Sequence, residues 1–471
     1  MISHFDAMAA ASRVFPGSPQ TTMTRFAYSL GLIALVALPI FAAPDPAPAA
    51  QLRIGAGRGV ITPYLDEPMA GYYYERFADG VHDDLQARAL LFDDGKERVV
   101  LVACDLVNLP RPVALEARQR IQKRFGIPAD HVLISATHSH TGPKTTGDYL
   151  TALPRRIADS VATAVGNAKP ARLLVGIEQE ASLPHNRRYL MKDGTTVTNP
   201  GFLNPDVVQP QGPIDPRVSV LLIEGGRGEP IATWVNYAMH LDTVGGTLIS
   251  SDYPHFMGRL LGRVQGPDVL TVFTIGAAGN INHWDVRRPG PQRGFDEARR
   301  IGEVLGSAVL KAFTHLAPVT PANVRAVSAA IELPVPPVTE EEITAMRKIL
   351  AAPPPPNVDF TLERVKAART MAIAGLAGRP LTTEVQVIVI GPVAFVGVPG
   401  ELFVEFGLEI QKSSPFPYTF IVEQANDSIG YIPNRAAFAQ GAYEPTSARI
   451  SPGGGELITA KAIALLRQLA R

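Results

Sequence analysis

The chain has 471 residues, enough for one large or two medium domains. Its 44 basic and 44 acidic residues cancel, which argues against a nucleic-acid partner and against an electrostatic membrane anchor. Cys104 is the single cysteine, so an intramolecular disulfide is excluded and an apolar core must supply stability.

Residues 26–43 are almost wholly apolar, follow Arg25, and run into small residues and prolines up to residue 50. This is the pattern of a secretory signal peptide, with Met23 a candidate start. The rival reading, an uncleaved anchor, meets a run that is short for a span and contains Ser29, Gly31 and Pro39. The expectation is therefore an exported protein, periplasmic or secreted. Residues 1–50 form an extension, signal and Ala/Pro-rich segment, and residues 51–471 form the domain.

Residues 52–62 read as a strand. Their Gly55-x-Gly57-x-Gly59 pattern has no helix behind it, so it predicts close packing rather than a nucleotide loop. Residues 87–92 and 99–103 flank Asp93-Asp94-Gly95-Lys96 as a hairpin whose second strand ends in Asp105. A helix over 113–125 is stopped by Gly126. Strand 131–134 then runs into Ser135-Ala136-Thr137-His138-Ser139-His140-Thr141-Gly142-Pro143. A helix is predicted over 154–168, with Pro154 near its start.

Strand 172–177 precedes a polar loop containing His185-Asn186-Arg187-Arg188. Strands 218–223 and 231–237 follow, the second ending in His240-Leu241-Asp242. Ser250-Ser251-Asp252 caps a helix to 264. Strand 269–275 leads into Gly279-Asn280-Ile281-Asn282-His283-Trp284, and a helix covers 296–315. Residues 334–380 form a helical, Pro-rich insertion: helices 340–350 and 362–374 flank Pro353-Pro354-Pro355-Pro356, as a surface hairpin or a lid. Strands 385–390 and 393–398 lead to Pro399-Gly400-Glu401 and a short helix. Strand 418–422 leads to Asn426 and Tyr431, and helix 457–469 closes the chain. This alternation predicts an α/β fold: mixed sheets with helices in a single large domain, with ligands on loops at strand ends.

Five strands end in polar, Gly-containing loops, at Asp105, His138, His240, Asn280 and Glu401, and Tyr431 follows a sixth. In α/β domains such loops can meet at one edge. Histidine and carboxylate are the usual ligands of catalytic zinc, which makes hydroxide available near neutral pH. His138, His240 and Glu401 are the candidate core of such a site. Blander readings stand beside these. His82, His131, His255 and His315 read as surface or packing residues. Asp105 is an ordinary strand-end carboxylate or a support behind the site, and Asp252 an N-cap or such a support. Alone, Tyr431 is a core tyrosine and Arg187 a loop arginine.

His138-Ser139-His140-Thr141-Gly142-Pro143, Asn236-Tyr237-Ala238-Met239-His240 and Pro399-Gly400-Glu401 resemble successive signatures of the neutral, non-lysosomal ceramidases. The resemblance runs from about residue 54 to the C-terminus. Members of that family are zinc amidases that cleave the N-acyl bond of ceramide. The resemblance implies one Zn2+ per chain on His138, His240, Glu401 and Tyr431, the last matched through Asn426-x-x-x-x-Tyr431. It implies substrate contacts at His140 and at Asn186-Arg187, with Tyr443-Glu444, ahead of Thr446-Ser447, lining the site. One departure is visible. The family's Gly-Asp-Val-Ser-Pro-Asn is here Gly279-Asn280-Ile281-Asn282-His283-Trp284, so Asn282 replaces a serine. An amide can donate to an oxyanion but cannot form an acyl-enzyme. No C-terminal immunoglobulin-like domain is read after helix 457–469.

The implied activity is zinc-dependent hydrolysis of an amide bond in a ceramide-like lipid, with His140, Arg187 and Asn282 holding substrate and oxyanion. A binding protein that has lost catalysis, or a zinc hydrolase of another envelope amide or ester, are the alternatives. The expected partner is a small-molecule or lipid substrate met at a membrane surface; oligomeric state is left open.

Overall fold

The computed structural model describes residues 52–320, 323–353 and 361–471. The apolar segment 26–43, expected to be a signal peptide, with the rest of 1–51, and Pro354, Pro355 and Pro356 of the proline run lie outside the described residues.

The main sheet is built from β1 (Arg53–Val60), β2 (Gln86–Asp93), β3 (Arg98–Cys104), β4 (Val132–Ala136), β5 (Lys169–Gln179), β6 (Arg217–Gly225), β7 (Pro230–Tyr237) and β8 (Leu270–Ile275). Their order is β8-β7-β6-β5-β1-β2-β3-β4. A second sheet has the order β9 (Val324–Leu333), β10 (Leu381–Ile390), β11 (Val393–Gly397), β12 (Tyr418–Val422). Leu101, Leu133, Trp234 and Val272 of the first meet Ile388, Phe395 and Phe420 of the second in one buried cluster, so the sheets share a core.

Helices cover the outer faces. On the main sheet these are α1 (Arg111–Phe125), α2 (Gly147–Gly166), α3 (Tyr253–Gln265) and α4 (Phe295–Ala312). The hairpin of α5 (Glu340–Ala351) and α6 (Leu362–Ala374) is inserted between β9 and β10, and α7 (Val404–Ser413) and α8 (Gly454–Leu469) pack on the second sheet. Strands covered on both faces read as unbroken apolar runs, which is why Val99 to Cys104 of β3 is buried throughout. A Cβ at Gly55 or Gly57 would run into the α2 backbone at Ala164 and Ser160, so these glycines set the distance between strand and helix. The α/β architecture matches the expectation from sequence.

Three differences have physical causes. The helix predicted from residue 154 begins at Gly147 and carries Pro154 in its interior. Burial of Tyr149 and Leu153 outweighs the missing hydrogen bond of the proline. The region of His185 to Arg188 is not simply loop: His185–Asn186 pairs antiparallel with Ile281–Asn282, and Arg188–Met191 is a further strand. Strand β9 was not anticipated, because its Ala-containing sequence is only half-buried and shows no clean alternation; it is fixed by ten paired residues on β10.

Three neighbouring pairs in the two sheets are parallel: β3 with β4, β7 with β8, and β11 with β12. All six of the predicted strand-end loops leave these pairs. The sheet order puts β4 and β8 at opposite ends, yet the segment after β12 ties them together. Glu423 N donates to Ile275 O of β8, and Asn426 N donates to Ile134 O of β4, at 3.2 and 2.7 Å. The loops after the three parallel pairs therefore converge.

Candidate active site

His138 follows β4 in a left-handed conformation (φ 73°), held by its N–H to Leu106 O. Asp252, Gln424 and Asn426 share positive φ, each at a cost of about 1–3 kcal/mol. Such strain is kept only where the surroundings enforce it. Here the second loop is bound directly: His140 N donates to Leu241 O at 3.1 Å, joining the His138 turn to the loop after β7.

His138 Nδ1 lies 2.7 Å from Val107 O, and His240 Nδ1 lies 2.8 Å from Ala278 O. Carbonyls only accept, so each Nδ1 carries the proton and each Nε2 presents a lone pair. Both Nε2 atoms face Glu401 Oε2, at 3.5 Å from His138 and 3.3 Å from His240. His240 Nε2 and Glu401 Oε2 are buried without a hydrogen-bond partner. Acceptors turned on one another in a buried space call for a cation. Tetrahedral zinc, with bonds of about 2.0–2.1 Å, sets its ligands roughly 3.3 Å apart. The donor set and spacing fit that ion.

Glu401 and Tyr431 stand opposite each other in a short parallel pair, Glu401–Leu402 with Tyr431–Ile432. The Tyr431 hydroxyl interacts with Glu401 and Arg187, and burial holds its pKa well above the usual tyrosine range. A Cβ at Gly279 would strike the backbone of Glu401, so only glycine lets the loop after β8 lie this close. Glu423 is fully buried and accepts from Ala278 N and Leu402 N at 3.1 and 3.0 Å, which fixes the loops after β8 and β11 to each other. Burial pushes its carboxyl well up, and the charge of Glu401 adds to this.

His140 completes a group of three imidazoles whose ligating atoms lie within 4.8 Å of one another. Its Nε2 is 3.3 Å from His138 Nε2. Unlike His138 and His240, it has no backbone carbonyl on its other nitrogen among the described contacts. Burial, then His138, pushes its imidazole down to about 3.

Arg187 borders this centre. Its Nε donates to Glu444 Oε1 at 2.9 Å and its Nη2 to Gly279 O at 2.8 Å, and its guanidinium lies over the Tyr431 ring at 5.3 Å. Tyr443 packs on Tyr431 at 5.3 Å between ring centres, and its hydroxyl is 3.1 Å from that of Tyr73.

The remaining candidates have other partners. Asp105 is fully buried in an ion pair with Arg88 at 2.6 Å. Asp252 caps α3 through Tyr253 N and also accepts from Val244 N, and burial raises its carboxyl to about 6. Asn186 donates to Pro213 O, accepts from Arg188 N, and pairs by its backbone with Ile281. The Asn282 amide donates to Asn199 Oδ1 at 3.0 Å, while its oxygen accepts from Trp284 N at 3.1 Å. A cavity of about 750 Å3 adjoins Asn186 and Pro213, but none of the three histidines lines it.

Two contacts were not legible in the sequence, although their residues lie in stretches already singled out. Glu444 is fully buried between Arg187 and Arg188, and nothing in the spacing of residues 187 and 444 announces the contact. Asp242 pairs with His283 at 3.4 Å; both lie in stretches already singled out, but strand-end position alone does not reveal a partner. Burial disfavours both charges, yet the pairing holds Asp242 well below the usual carboxylate range and raises His283.

Residues 52–156 match the family model described as neutral/alkaline non-lysosomal ceramidase, N-terminal. Neutral ceramidase of Pseudomonas aeruginosa is 24% identical, across 91% of this chain and 74% of its own length. Neutral ceramidase A of Dictyostelium discoideum is 28% identical, across 50% of this chain and 35% of its own. The crystal structure of the Pseudomonas aeruginosa neutral ceramidase superposes with a TM-score of 0.70 at 20% identity, covering 89% of this chain and 75% of that one. A solved ceramidase complexed with C2 gives a TM-score of 0.69 at 18% identity, with 89% and 76% covered.

Proposed function

We propose, from the premise that the chain belongs to the neutral/alkaline non-lysosomal ceramidase family, that it is a zinc-dependent hydrolase of an N-acyl bond in a ceramide-like lipid. The observation that carries this reading is the convergence of His138 Nε2 and His240 Nε2 on Glu401 Oε2, with His240 Nε2 and Glu401 Oε2 buried and lacking hydrogen-bond partners. His138, His240, Glu401 and Tyr431 would hold the ion. Zinc bound there supplies a Lewis acid and lowers the pKa of water toward neutrality.

The chain's own residues then have distinct tasks. The carbonyl clamps on His138 and His240 keep each Nε2 aimed inward. Water adds to the carbonyl carbon, the C–N bond breaks, and the amine leaves with a proton. His140, free of a carbonyl clamp, is the group within reach for moving that proton. Arg187 is held by Glu444 with its guanidinium against Tyr431, where it can face a developing oxyanion.

An aromatic rim supports a lipid-like substrate. Tyr64, Leu65, Tyr73, Tyr74 and Phe77 are all exposed in one loop. Tyr72 of that loop meets the His140 ring edge-on at 6.0 Å, and Tyr73 reaches Tyr443. Apolar rings at the mouth of a polar centre suit an acyl chain or a membrane surface. Among the described residues no helix is long and apolar enough to cross a membrane.

The test is metal content after chelator-free purification, together with turnover of a panel of N-acyl lipids and simple esters. Zinc at the centre and turnover of the amides are expected. Zinc with binding but no turnover would favour the binding-protein reading, for which the replacement of the family's serine by Asn282 is the motive. Export through residues 26–43 is part of the proposal. Mature protein recovered from the envelope should begin between about residues 44 and 53, following the small-residue cleavage pattern. An intact segment in membrane-bound protein would instead make it an anchor.

A further inference from the structure

A second cluster of metal-ligating side chains lies outside the centre described above. The short strand Gly80–Val81 pairs in parallel with Leu248–Ile249, and His82 N donates to Ile249 O at 2.9 Å. This pairing sets His82 and Asp83 against the start of α3, where His255 occupies the first turn. The ligating atoms of His82, Asp83 and His255 lie within 4.8 Å of one another.

Asp83 is buried and rigidly oriented. Its Oδ1 accepts from Ser251 N and Ser251 Oγ at 2.8 and 2.7 Å, and its Oδ2 accepts from Ser250 Oγ at 2.6 Å. His82 Nδ1 is hydrogen-bonded to Oδ2 at 2.8 Å, a bond that an ion would replace, and His255 Nδ1 is 3.5 Å from Oδ1. The latter spacing is long for a hydrogen bond. It suits two ligands of one ion, which stand roughly 3.3 Å apart when their bonds are about 2.0–2.1 Å. The rings are also held. His82 stacks on Phe295 with 4.0 Å between centres and 17° between planes, and His255 meets Phe256 edge-on at 5.0 Å. The two imidazoles keep 28% and 22% of their side chains exposed, so an ion has a path in and an open side.

We propose that His82, Asp83 and His255 form a second divalent-metal site, of two imidazoles and one carboxylate, for an ion of the zinc class. Its place in the fold suggests what it does. Ser250, which orients Asp83 through its hydroxyl, accepts through its carbonyl from Ser139 Oγ and Thr141 Oγ1 at 2.7 and 3.0 Å. Ser139 lies between His138 and His140. An ion on Asp83 therefore braces, from outside, the segment on which the His138 turn rests. It needs no substrate, and it does not depend on whether the buried centre holds zinc.

The experiment is calorimetric titration of chelator-stripped protein with Zn2+ alone, repeated with Co2+ while following visible absorption. It uses the parent, His255→Ala, His82→Gln, His138→Ala and the His138→Ala/His255→Ala double variant, each checked for its folded circular-dichroism signal. The parent is expected to take two equivalents and His138→Ala one. The double variant should take none, with affinity at the second site weakened more than the 10–100-fold loss of a merely orienting partner. His82→Gln should weaken the same equivalent, which keeps the test alive where one variant fails to fold. If the parent takes one equivalent that His255→Ala removes and His138→Ala retains, the second site stands and the buried centre's zinc falls. A single equivalent removed by His138→Ala, or a second that survives both His255→Ala and His82→Gln, overturns the proposal.

Discussion

The two sides of the candidate active site handle buried polarity in opposite ways. On the histidine side, His240 Nε2 and Glu401 Oε2 are left without partners although both are buried. On the arginine side, Glu444 accepts from Arg187, Arg188 and Thr198, at 2.9, 2.7 and 2.9 Å. An unsatisfied buried polar atom costs about 1–3 kcal/mol, so a fold keeps a cluster of them where something else supplies the missing partner. A saturated buried network instead locks a conformation. The comparison teaches that side chains a few ångströms apart in one site can be divided into those that wait for a ligand and those that hold the frame.

The largest effect should come from the unsatisfied side. His138→Ala and His240→Ala are each expected to abolish zinc binding and bring turnover to background while the fold is kept, with a stability cost of about 1–3 kcal/mol because the Val107 or Ala278 carbonyl loses its donor. Metal analysis and thermal unfolding check both halves. Loss of the folded signal in both variants would make these histidines structural and erase the contrast.

The saturated side should respond in stability. Glu444→Gln leaves two buried guanidiniums short of a counter-charge and is expected to cost about 3–5 kcal/mol. Burial raises the Glu444 carboxyl, but Arg187 and Arg188 outweigh it and hold the group below the usual range. A lowered folded pKa stabilises the protein above the unfolded value of about 4.3 and ceases to do so as pH falls through the folded value. The parent should therefore lose stability on acidification below about pH 4.3, and Glu444→Gln should show a shallower acid slope. Denaturant melts at several pH values measure this; equal slopes would mean that the pair contributes nothing to acid sensitivity.

How much of this division was legible in the sequence depends on what a linear pattern can carry. Strand ends are local, so His138, His240, Glu401 and Tyr431 could be picked out as polar residues just beyond apolar runs. That the runs form three parallel pairs tied by residues 423–426 is non-local, and no periodicity records it. Glu444 was seen only beside Tyr443, because its partners lie at 187 and 188. His82 and His255 each look like a lone surface histidine, and only the pairing of Gly80–Val81 with Leu248–Ile249 makes them neighbours. Pro154 misled for a different reason: local propensity placed a helix start where tertiary burial of Tyr149 carries the helix onward.

The aromatic rim lies outside both halves and should affect binding alone. Replacing Tyr74 and Phe77 by serine is expected to raise KM for long-chain N-acyl substrates about tenfold and leave kcat near the parent value, the mark of uniform binding. Short-chain amides should be unaffected. A fall in kcat with unchanged KM would place the loop in the chemical step instead.

Asn282 sharpens the comparison most finely, because it could belong to either side. A donor aimed at the oxyanion is worth about 10²–10³-fold in turnover. The structure already engages both ends of the carboxamide, with Asn199 and with Trp284 N, and the residue is fully buried. By the rule drawn above, a satisfied group holds the frame. Asn282→Ala is therefore expected to cost about 1–3 kcal/mol of stability by leaving Asn199 and Trp284 N unpaired. Turnover per bound zinc should fall by less than about tenfold, since no donor to substrate is lost. Asn282→Ser keeps a hydroxyl that can accept from Trp284 N and should recover part of that stability. A loss of about 10²–10³-fold in kcat at full zinc content and parental stability would move Asn282 to the side that waits for a ligand, as a direct contact of the reacting carbonyl.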